Sequence, residues 1–134
     1  MSIEHLRNDK PDLMAATLKR FKVEAMWDVT EEQEDSLKQS MITRAKAIKE
    51  SNCERELQIL KNKGLEEIHF TINELRQLNV EDFNHTYYIS CEIAYCREVE
   101  QAIHHLERNG CKAFAEHLHV IAIDFLMFDF MNEE

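Results

Sequence analysis

The sequence predicts an all-α protein, a single domain over residues 1–134 built as a bundle of about four main helices plus a short accessory helix. Three observations predict it. Two glycines and one proline in 134 residues fall far below the roughly 12% combined share of an average protein, too few for the turns of a β-sandwich or for a low-complexity chain. Apolar residues recur at steps of three and four along most of the chain, the period of a helix face and not of a strand. With 44% hydrophobic and 31% charged residues, a chain of this length can bury a core without disulfide staples.

The first element is predicted from Pro11 to Trp27, where Met14, Leu18, Phe21 and Ala25 form one stripe and Pro11 suits a first-turn position. Asp28–Thr30 breaks the pattern, and Thr30 with Gln33 has the spacing of a capping box that opens a second helix. Its stripe of Leu37, Met41, Ala45 and Ile48 loses phase at Ser51–Asn52 and resumes at Leu57 and Leu60 before Gly64, so it is one kinked helix or two. Glu67–Ile72 alternates like a short strand but finds no second strand to pair with, and reads as a connector. Thr71 with Glu74 then predicts a short accessory helix over Ile72–Leu78. From Glu81, the series Tyr88, Cys91, Tyr95, Val99, Ala102 and Leu106 predicts one long helix that ends at Asn109–Gly110.

The last helix, Lys112 to about Met131, carries Phe114, Leu118, Ile121, Phe125 and Phe128 on one stripe, and Val120, Ile123, Leu126, Met127, Phe130 and Met131 fill much of the rest. A helix apolar nearly all round is either central to its bundle or part of an interface. The sequence therefore predicts a homodimer or a partner-docking surface on Phe114, Leu118, Ile121, Phe125 and Phe128.

Charge is distributed unevenly. The net charge is −10; residues 1–63 carry 12 Lys/Arg and 12 Asp/Glu, while residues 64–134 carry 4 and 14. An acidic surface without a basic stripe repels phosphate backbones and argues against direct nucleic-acid binding, but suits a basic protein partner. Cys53, Cys91, Cys96 and Cys111 form no Cys-x-x-Cys pair, and the opening residues lack the pattern of a secretory leader, which together predict a reduced, cytoplasmic setting. The apolar run Val120–Met131 contains Asp124 and Asp129 and is shorter than the roughly 18–20 residues of a membrane span, so no membrane partner is expected.

Two Glu-x-x-His spacings, Glu66/His69 and Glu116/His119, are the most chemically suggestive motifs. In helical bundles that hold two iron or manganese ions, such motifs cooperate with a glutamate from each of two further helices, for which Glu24 or Glu54 and Glu92 or Glu100 are candidates. Iron, manganese or zinc would be the cofactor on this reading. His119 and Asp124 have the spacing of the last ligand pair of the hemerythrin family, whose other ligand patterns are missing. His104 and His105 diverge by about 100° around a helix and cannot both face one ion. Asp124 and Asp129 need a partner such as Arg97, Arg108, Lys112 or Arg44 wherever they are buried. No phosphate-cradling glycine loop or nucleophile elbow is present, so catalytic residues are unassigned and an enzyme is the less favoured class. The stretch Trp27 to Leu60 resembles a late helical segment of TRAP-type solute-binding proteins. Cys91–Ile93 through Ile123–Phe125 resembles the C-terminal helices of queuosine-salvage nucleosidases, whose nucleoside-pocket residues have no counterpart, and neither activity carries over. The leading expectation is a small acidic interaction module, an adaptor, inhibitor or immunity-type binder, acting through its acidic second half and apolar C-terminal helix. The alternative is a metal-binding bundle, a di-metal enzyme or a metal sensor.

Overall fold

The computed structural model describes residues 31–132; Pro11–Trp27 and Thr30, with the helix and capping box expected there, lie outside them. The described residues form six helices and no strand: α1 (Glu31–Glu50), α2 (Glu54–Asn62), α3 (Glu66–Leu75), α4 (Phe83–Tyr95), α5 (Val99–Arg108) and α6 (Lys112–Met131). The all-α prediction holds. The stretch expected as one kinked helix or two is two, α1 and α2, and the single long helix expected from Glu81 to Asn109 is divided into α4 and α5.

The first division, at Ser51–Cys53, falls where the apolar stripe loses phase, and the Ser51 hydroxyl donates to the Ile48 carbonyl to close the last turn of α1. The second, at Cys96–Glu98, has no glycine or proline to announce it. Cys96 is extended and buried there, and the Glu98 carboxylate accepts from the Ile68 amide at 3.1 Å in the first turn of α3. That bond satisfies a donor the helix itself cannot satisfy and sets a negative charge against the positive end of the helix. Residues 67–72, expected as a connector, are helical. Thr71 does not open an accessory helix; its hydroxyl donates to the Glu67 carbonyl one turn back, inside α3.

Two glycines end helices as the sequence predicts. Gly64 (φ +74°) and Gly110 (φ +81°) sit in the left-handed region that side chains disfavour. After α2, Leu65 N–H donates to the Leu60 carbonyl and Gly64 N–H to that of Lys61; after α5, Cys111 and Gly110 repeat the arrangement with Leu106 and Glu107. Both are Schellman caps, each with a buried apolar pair across the turn.

α6 lies at the centre, packed on α1, α4 and α5, while α2 and α3 form an outer layer against α5 and α4. Phe114, Ala115, Leu118, Ile121, Ala122, Phe125 and Leu126 of α6 are all buried. This placement explains why α6 is apolar on so many sides: three neighbouring helices each require a face. Phe83, Tyr87, Tyr95, Phe125 and Phe128 stack at tilted and edge-on angles between α4 and α6, with ring centroids 5.0–6.0 Å apart. Cys53, Cys96 and Cys111 are buried in the core and Cys91 is half-buried; all four are free thiols. No helix among the described residues is long and apolar enough to cross a membrane.

Candidate functional site

α1 and α6 run antiparallel, and a polar seam lies along their contact. The Ser40 hydroxyl donates to the Asp124 carboxylate, Arg44 lies 3.2 Å from His117 Nδ1, and Arg44 also pairs with Glu116 at 3.6 Å. Burial pushes the Asp124 carboxyl above the usual range, while Ser40 and Arg44 pull it back. Tyr87 donates to Asp129 at 3.1 Å, and burial, with that carboxylate beside it, pushes the phenol up to about 12. Each carboxylate inside the apolar run has thus met a donor from a neighbouring helix. Of the partners the sequence suggested, Arg44 is the one in place near Asp124.

A different arrangement occupies the groove between α3 and α4, with a volume of about 410 Å³. It is lined by Glu67, Phe70, Thr71 and Glu74 from α3 and by Glu92 and Tyr95 from α4. On α3, positions 67, 70 and 74 share a face; on α4, position 88 continues the stripe of 92 and 95. Phe70 and Tyr88, 63% and 71% exposed, are the large apolar side chains most open to solvent among the described residues. No basic side chain lines the groove. Loss of water at the groove wall raises the Glu92 carboxyl above the usual range, and the neighbouring Glu74 carboxyl raises it further. Two acids thus stand side by side in a groove that no basic residue lines.

At the α3 end of this groove the donor atoms of Glu67, Cys96 and Glu98 lie within 4.8 Å of one another. These groups already have roles: Glu98 caps α3, and burial, reinforced by Glu67, pushes the Cys96 thiol up to about 12. The positive end of α3 at this point opposes a cation.

The sequence-predicted residues fall as follows. Phe114, Leu118, Ile121 and Phe125, expected to meet a partner, are at most 5% exposed and pack into the chain's own core. Phe128 is half-buried against Phe83 and Tyr87. A stripe consumed by internal packing is not presented to a second molecule. Glu66 and His69 stand on α3, and Glu116 and His119 on α6; among the described residues no three of these four bring their donor atoms within 4.8 Å of one another. Glu116 and His119 do border one depression, together with Glu107 and Lys112. Sequence reading missed Phe70 and Glu74, because a strand-like alternation concealed the helical face they share; Tyr88, expected on the apolar stripe of the long helix, is exposed instead.

The chain matches no family model, no curated protein and no solved structure.

Proposed function

We propose that this protein is an interaction module that receives a basic segment of a partner protein in the α3–α4 groove. One observation carries the reading: the acids Glu74 and Glu92 line one groove with exposed Phe70 and no basic residue, and exposed Tyr88 lies one helical turn from Glu92 on the same face of α4. A lysine or arginine entering the groove would act as counter-ion to the two acids, and the aromatic faces would hold its stem and charge. The net charge of −10 would draw such a partner from a distance. The apolar C-terminal helix supplies the rigid floor on which α4 rests.

The test is titration of a labelled helical peptide with arginines along one face, across a salt series. Affinity is expected to fall steeply as salt rises. Substituting both acids, Glu74→Gln with Glu92→Gln, should weaken binding about two- to thirtyfold, from roughly 0.2–1 kcal/mol per half-exposed ion pair. Affinity that is indifferent to salt and to the double substitution would overturn the reading.

A further inference from the structure

A second group of side chains, remote from the α3–α4 groove, sits between α5 and α6. Glu100, His104 and Glu107 occupy positions i, i+4 and i+7 of α5 and so share one face. With Ile103 at the base and His119 from α6, they line a cleft of about 160 Å³. His119 Nε2 is buried and has no hydrogen-bond partner. A buried imidazole nitrogen without a partner is costly whichever tautomer it adopts, and such an atom marks a place where something is to bind.

We infer that this cleft is a binding site for a divalent zinc-type ion, with His119 and His104 as imidazole ligands and Glu100 and Glu107 as carboxylate ligands. The donor chemistry selects the ion: two imidazoles with carboxylates suit zinc, while a purely carboxylate set would suit magnesium or calcium. Coordination would satisfy the His119 nitrogen and neutralise acids that α5 places two turns apart on one face. In the present arrangement no three of these donors lie within 4.8 Å of one another. Closing the site takes rotation of His104 and Glu107, which are exposed, towards the anchored His119. Lys112 lies on the adjoining depression with Glu107 and Glu116. The inference retains His119 from the sequence-derived ligand set but exchanges its partners, because the residues facing it come from α5 and not from α3.

The test is calorimetric titration of untagged, chelator-free full-length protein with zinc, followed by the absorption spectrum of the cobalt-substituted protein. Binding of one ion per chain is expected, with a cobalt spectrum lacking the charge-transfer band of a thiolate ligand. Losing a supporting second-layer contact already costs about 10–100-fold in metal affinity, so His104→Ala and His119→Gln should each weaken binding by about tenfold or more. His104 is exposed, so its variant reads the site without disturbing the core, and circular dichroism verifies that His119→Gln remains helical. His85→Ala, on α4, should bind as the parent does. No zinc binding, an unchanged affinity in His104→Ala, or a thiolate band that disappears in Cys96→Ser would overturn the inference.

Discussion

The α1–α6 seam and the α3–α4 groove both place carboxylates between two helices, yet they treat them oppositely. In the seam, Asp124 meets the Ser40 hydroxyl and Glu116 meets Arg44. In the groove, Glu74 meets Glu92 and no basic side chain follows. The seam is complete within one chain, so its charges contribute to register and stability. The groove keeps an electrostatic cost that a second molecule can relieve. On the proposed reading a cationic partner relieves that cost, which a single Glu-to-Gln change would also remove.

Four changes would break or sharpen this contrast. The largest effect belongs to the core between the two regions: Phe125→Ala, which removes a ring packed on Tyr87 and Tyr95 of α4 and 1% exposed, should destabilise by about 3–5 kcal/mol in a denaturant titration. Next, Ser40→Ala removes a donor from half-buried Asp124 and should cost about 1 kcal/mol. Its pH dependence has a definite sign. Because the folded Asp124 carboxyl is held above its ordinary value, the native state binds more protons in that window, and stability falls as pH rises through it. Losing Ser40 raises the group further, so the fall should steepen; a pH-independent difference between the two proteins would remove Asp124 from the explanation.

Groove substitutions should behave in the reverse manner. Glu92→Gln relieves the contact with Glu74 and should raise the melting temperature slightly at neutral pH while weakening peptide binding. A residue with a merely structural role would move both quantities in the same direction. The smallest change in stability is expected for Tyr88→Ala, within about 0.5 kcal/mol because the ring is 71% exposed, accompanied by a several-fold loss of peptide affinity seen by fluorescence anisotropy.

Much of the helical grammar was legible in the residues themselves. Gly64 and Gly110 announce their caps because left-handed backbone nearly requires glycine, and the stripe slip at Ser51–Asn52 marks a real break. The division at Cys96–Glu98 was hidden, since its compensation is Glu98 bonding to the Ile68 amide, 30 residues away in sequence. The surplus of apolar residues on α6 left two readings open, a central helix or an interface, and the expectation of a docking surface followed because the one-dimensional pattern does not show that α1, α4 and α5 pack around it. The groove was least legible. Acid enrichment of the second half was plain, but the pairing of Glu74 with Glu92 depends on α3 packing against α4, and no spacing within either helix reports that.

The most direct test of the central claim is the proton balance of peptide binding, measured by calorimetry in buffers of differing ionisation heat just above the ordinary carboxylate range of about 4–5. A cationic segment that enters between Glu74 and Glu92 lowers the raised carboxyl and must expel its proton. The account predicts proton release on binding that disappears in Glu92→Gln. Binding without proton release, or release unchanged by that substitution, would contradict it.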